Sequence, residues 1–190
     1  MAATDDALPF PYPLALGTDI CHIPRIQRLL TDNSQKQVDR FSQRIFSPAE
    51  RSFFQEQYDK VLQLRENIAD KADNEDNGQD ESGTDKNLQR TQYERAFWKL
   101  SSWVAGRFAA KEAAMKAVYP HRLGWHQAEI LTVPGKMKPV LVLHVPPPQT
   151  ADTNEGDGDL PPLRRQVAQL SISHDGDYAT ATVLAVNHSA

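Results

Sequence analysis

The sequence predicts an α+β fold in which an antiparallel sheet packs against one long central helix, and three observations point to it. In Thr91–Val118, the residues Tyr93, Phe97, Leu100, Val104, Phe108, Met115 and Val118 recur at helical spacing. Short apolar or alternating segments of strand length stand on both sides of that stretch. Turn residues join the later segments in pairs: Pro134-Gly135-Lys136 in one place, Asp175-Gly176 in another.

In chain order, Leu14–Ile20 is the first strand, with Asp19 at its end. Pro24 suits the opening turn of a short helix, whose outer face carries Arg25 and Arg28 as i,i+3 neighbours. Ser47-Pro48-Ala49-Glu50 starts another helix: an N-cap serine, a first-turn proline and a glutamate that completes a capping box. Phe54, Tyr58 and Val61 continue its apolar side to about Leu64. Thr91 and Glu94 form a capping box for the central helix, and Pro120 stops it. Ala128–Val133 and Pro139–Val145 then make a hairpin. Gln166–Ser173 and Tyr178–Val186 make a second one, with His174 at its mouth on the inner face.

Two acidic stretches interrupt this pattern, at about 66–90 and 146–164. Residues 66–85 hold eight acids against Lys71, and residues 151–160 hold four acids and no base. Both contain glycine and few apolar residues, too little to order themselves by burial. The expectation is one domain over 14–186 with two flexible insertions. Without these stretches (net −7 and −4), the chain's −4 becomes a remainder of +7. The part that folds is therefore basic, and a basic surface steers acidic partners. No apolar run approaches the ~18 residues of a membrane span. Cys21 is the only cysteine, so no internal disulfide forms. The amino terminus shows neither a secretory signal nor an arginine-bearing presequence.

The sequence contains no GxGxxG, no phosphate loop, no paired CxxC, no HExxH and no GxSxG elbow. The central helix does hold an oddity. Glu112 lies roughly 40° off the centre of the apolar stripe at ~100° per residue, with Lys116 one turn along the same flank and Arg107 and Lys111 on the other. A carboxylate beside a buried stripe usually needs a cation to sit there. Asp19 and Glu112, brought together, would suit a hard divalent ion such as Mg²⁺, which binds through one or two carboxylates plus substrate phosphates. Lys111, Lys116 and Arg107 would hold further phosphate oxygens. The bland alternatives are a capping role for Asp19, an exposed Glu112–Lys116 pair worth about 0.3–0.5 kcal/mol, and a hydrogen-bonded turn histidine at 174.

Three motifs in order make the chain resemble the holo-acyl-carrier-protein synthase family, the small 4′-phosphopantetheinyl transferases. They are Gly17-Thr18-Asp19-Ile20, Trp103–Ala117 (WVAGRFAAKEAAMKA) and Ser171-Ile172-Ser173-His174-Asp175, with Arg40-Phe41, Arg44-Ile45 and Glu50 as a further run. The acidic stretches, absent from compact bacterial members, suggest a fungal relative. The resemblance implies the family's fold and transfer of the 4′-phosphopantetheine arm of coenzyme A to a serine of acyl carrier protein, with Mg²⁺. It implies that Asp19 and Glu112 are metal ligands, that Glu112 is also the base, and that Lys116 binds the pyrophosphate. Arg107, Ser173 and His174 would contact the nucleotide end, supported by Asp175, and Arg25 and Arg28 would face the carrier protein. It also implies a homotrimer with sites between subunits. The sequence has no basic stripe interleaved with aromatics and no nucleic-acid motif, so neither nucleic acid nor a membrane is expected as a partner, and the expected compartment is the mitochondrion or, alternatively, the cytoplasm. The competing reading is a non-catalytic module that binds coenzyme A or carrier protein.

Overall fold

A computed structural model describes residues 12–74, 83–133, 135, 138–146 and 163–186. The elements in order are β1 (Leu14–His22), α1 (Ile23–Thr31), α2 (Gln35–Ile45), α3 (Pro48–Asn74), α4 (Gly83–Ala117), β2 (Ala128–Leu131), β3 (Val140–Val145), β4 (Arg164–Asp175) and β5 (Tyr178–Val186). The five strands form an antiparallel sheet in the order β1-β5-β4-β3-β2. β4 is long enough to pair with β3 over Arg164–Ala168 and with β5 over Gln169–Asp175.

One face of the sheet packs on α4. Gly17 and Cys21 of β1 and Ala179, Ala181, Val183 and Ala185 of β5 point inward and are buried. On α4 the facing residues are chiefly small: Ala105, Ala109, Ala110, Ala113, Ala114 and Ala117 are all fully buried. Large residues of the expected stripe, Phe108 and Met115, are only half-buried. Small side chains let helix and sheet approach so closely that a methyl at Gly17 would overlap the Ala113 carbonyl oxygen and lie 2.7 Å from the Ala117 nitrogen. The same core continues between α3 and α4 through Phe54, Tyr58 and the preceding Phe46, with Trp103 against Phe46 and Phe53 at ring distances of 5.2 and 5.0 Å.

Several boundaries differ from expectation. The central helix starts at Gly83 rather than at a Thr91 cap; the Thr91 hydroxyl bonds back to the Asn87 carbonyl inside the helix. α3 likewise runs to Asn74, past the expected end near Leu64, so much of the first acidic stretch is helical. Helices tolerate acidic exposed faces when i,i+4 pairs such as Lys60–Glu56 and Arg90–Glu94 support them. The centre of that stretch (75–82) and most of the second (147–162) lie outside the described residues. α2 was not anticipated, although Ser34 and Gln37 mark its start through the Ser34 N–H bond to Gln37 Oε1. Asp19 lies within β1, which continues to His22, and does not cap α1. The tight turn of the last hairpin is Gly176-Asp177, since Asp175 pairs with Tyr178; Gly176 takes the positive φ of 49° that the turn requires.

Candidate active site

Strand alternation places Asp19 on the inward face of β1, two residues from the glycine that touches α4. There it meets Lys116, whose Nζ donates to Asp19 Oδ1 at 2.8 Å and to the Thr18 carbonyl at 2.9 Å. Lys116 is half-exposed, whereas the Asp19 side chain keeps 18% of its surface. Glu112 stands one turn before Lys116 on the same flank and is half-buried. Lys116 thus bonds to Asp19 across the helix–strand gap, and the bland i,i+4 Glu112–Lys116 pair is not what the side chains form. The acid of β1 and the lysine of α4 thus meet near the C-terminal end of α4, one helical turn along from Glu112.

A different group gathers further up the same helix. A cleft of about 470 Å³ is lined by Trp98, Lys99, Ser102, Trp103, Gly106, Arg107, Pro139, Ile172 and His174. Nε2 of His174 lies 3.0 Å from the Ser102 carbonyl, which as an acceptor selects the Nε2–H tautomer and turns Nδ1 away. Gly106 makes room for this ring; a methyl there would stand 3.1 Å from both His174 Nε2 and Ile172 Cγ2. The Arg107 guanidinium lies 3.9 Å above the Trp103 ring, a cation–π contact between i and i+4. Its Nε is buried without a hydrogen-bond partner. Burial pushes its pKa down to about 10, and Glu50 opposes that shift.

Lys111 is not available to a phosphate, contrary to expectation. It is fully buried, and its Nζ donates to Glu50 Oε2 at 2.8 Å, to the Trp125 carbonyl at 2.9 Å and to the Ala128 carbonyl at 2.5 Å. All three ammonium donors are used. Burial lowers its pKa and Glu50 counters that. Ser173 and Asp175 also fall outside the cleft: they alternate to the opposite face of β4 from His174, and both are exposed. Arg25 and Arg28 are exposed on α1, as expected, with the Arg25 guanidinium 6.0 Å from the Phe108 ring. The cleft residues that sequence reasoning missed are Trp98, Lys99, Ser102, Trp103 and Gly106. The Trp103–Arg107 spacing was the available signal.

The two groups occupy separate stations. Asp19 aligns with Ala181 and, one strand further, with Ile172, so β1 and β4 stand roughly 10 Å apart there. From Ser102 to Lys116 α4 rises on the order of 20 Å. Among the described residues no cluster of three or more histidine, cysteine or acidic side chains could hold a metal by itself. Two hard carboxylates next to a lysine do fit an ion that takes its remaining ligands from water and substrate phosphates.

One helix thus carries an acid–lysine pair near its C-terminal end and a cleft holding Arg107 and His174 further up, packed on an antiparallel sheet. The family model of the 4′-phosphopantetheinyl transferase superfamily matches residues 15–182, and the chain belongs to that family. It is 33% identical over 180 residues, 94% of this chain and 97% of the other, to the mitochondrial 4′-phosphopantetheinyl transferase B of Aspergillus fumigatus. It is 30% identical over 174 residues, 90% of this chain and 96% of the other, to the holo-[acyl-carrier-protein] synthase of Koribacter versatilis. A crystal structure of a holo-(acyl-carrier-protein) synthase from Bacillus anthracis superposes with a TM-score of 0.47 at 22% identity, covering 91% of this chain and 96% of that one. The chain is a transferase of this family, with its α+β fold.

Proposed function

We propose that residues 14–186 form one transferase domain that moves the 4′-phosphopantetheine arm of coenzyme A to a serine of an apo-acyl carrier protein. The observation that carries this reading is the Asp19–Lys116 pair beside Glu112, in a chain of this family. Asp19 and Glu112 would hold Mg²⁺, which when bound supplies positive charge against the diphosphate. Lys116, now bonded to Asp19, would reach a diphosphate oxygen from the same position. The carrier serine Oγ attacks the phosphorus that bears the pantetheine, and a Glu112 carboxylate oxygen accepts its proton. The bond from that phosphorus to the bridging oxygen breaks, and adenosine 3′,5′-bisphosphate leaves. Positioning and charge neutralisation supply most of the acceleration.

Arg107 and His174, in the cleft, would take the phosphorylated nucleotide end. The assembly would be a homotrimer. The sheet face turned away from α4 exposes Leu16 (66%), Ile20 (60%), Val167 (65%) and Leu184 (38%), an apolar patch that a second copy would cover. Ser173 and Asp175 lie on that same outer face, so their contribution would go to a neighbouring subunit's site. Arg25 and Arg28 would steer the acidic carrier protein. The Aspergillus relative's mitochondrial designation favours that compartment over the cytoplasm.

The test is to incubate the protein with coenzyme A, apo-carrier protein and Mg²⁺ and weigh the carrier. A gain of one phosphopantetheine that disappears in Glu112→Gln is expected. Coenzyme A binding with no mass change would favour the non-catalytic module instead.

A further inference from the structure

We propose that Glu50 is a positioning residue for Arg107: a buried carboxylate in the first turn of α3 that holds the guanidinium at the wall of the Trp98–His174 cleft. The inference rests on the reading that this cleft takes coenzyme A. Four observations support it. Glu50 keeps 3% of its surface, and only its Oε2 is engaged, by Lys111 Nζ at 2.8 Å and the Ser47 N–H at 2.9 Å. Its other oxygen, Oε1, is buried without a partner, and so is Arg107 Nε. Trp103, Arg107 and Lys111 follow at i, i+4 and i+8, so one line of α4 faces α3. Phe53, three residues after Glu50 in α3, stacks on Trp103, and Arg107 lies over that same ring.

Physically, one fully buried cation, Lys111, and one partly buried cation, Arg107, stand on the α4 line that faces this buried carboxylate. Lys111 takes one oxygen outright. Lys111, one turn along α4 from Arg107, fixes the carboxylate beside that turn, and the Glu50 charge opposes the effect of burial on the guanidinium. The Ser47 N–H and the start of α3 favour a negative charge at position 50, which anchors the arrangement from the other side. One positive charge of this trio is left unmatched at the cleft wall, beside that of Lys99, for an incoming anion. Without the carboxylate, only the contact with Trp103 would hold the partly desolvated guanidinium in place, and it would shift toward water.

The experiment is a double-mutant cycle read by calorimetric titration with coenzyme A, plus KM and kcat. Glu50→Gln keeps size and an acceptor for Lys111 but removes the charge. It should weaken coenzyme A about tenfold and raise KM more than it lowers kcat. Arg107→Gln should cost at least as much alone, yet almost nothing further when Glu50 is already gone. If Glu50→Gln fails to fold, the pair Glu50→Gln with Lys111→Met leaves neither ion buried alone, and Arg107→Gln is repeated in that background. Additive losses, or unchanged affinity in the Glu50 variant, overturn the proposal. Failure of the unmutated protein to bind coenzyme A would instead overturn the reading of the cleft on which it rests.

Discussion

Glu112 and Asp19 differ from their neighbours in what their loss should do. Both are half-buried and neither belongs to the apolar core. Glu112→Gln and Asp19→Asn should therefore abolish transfer, by at least about a hundredfold in kcat, while thermal denaturation shifts by no more than a few degrees. Chelation of divalent ions should abolish transfer in the unmutated protein, with circular dichroism unchanged. Arg107 gives a pH prediction with a definite sign. Its folded pKa, about 10, lies below the ordinary guanidinium value because burial disfavours the charged form. The charge proposed to receive an anion is therefore present below pH 10 and is lost above it. Affinity for coenzyme A should fall as pH rises through that value, and titrations on either side check it. The places of Arg107, Glu112 and Lys116 along α4 were legible in the sequence because flank geometry on a helix is local. Lys111 was not: what removes it from the site is Glu50, 61 residues away, together with the Trp125 and Ala128 carbonyls. No helical projection contains that information.

At the scale of elements, β1 and α4 meet backbone to backbone at Gly17, and this junction sets where Asp19 stands. Gly17→Ala has no room to relax, because the obstacle is the main chain of α4 and not a flexible side chain. It should cost about 1–3 kcal/mol in denaturant unfolding and also lower kcat by displacing the acid. Gly106→Val should act differently, pressing on the His174 ring and loosening its bond to Ser102. A rise in the KM for coenzyme A with nearly normal stability is the expected signature. The strands and the heart of α4 were readable because alternation and 3.6-residue periodicity survive in a single sequence. The start of α4 was misread since capping signals occur inside helices too, as Thr91 does here. The alanine-lined packing surface was missed for a simple reason: large side chains dominate a periodicity search, whereas close approach selects small ones.

For the whole molecule, the outer sheet face is where the proposed trimer would close. Leu16 and Leu184 are register partners on that face, so Leu16→Glu puts a charge in the middle of the patch. If the proposed trimer forms through this face, light scattering should show the mass of the unmutated protein at three chains and a fall toward monomer in the variant, with transfer activity falling alongside. The separation of the two stations along α4 has a consequence in a ring of identical copies. If each reaction centre draws its acid cluster from one chain and its histidine cleft from the next, a subunit crippled at Asp19 and a subunit crippled at His174 are each inactive alone. Mixed and allowed to exchange, some of their junctions would inherit two intact halves, and turnover would return from two inactive preparations.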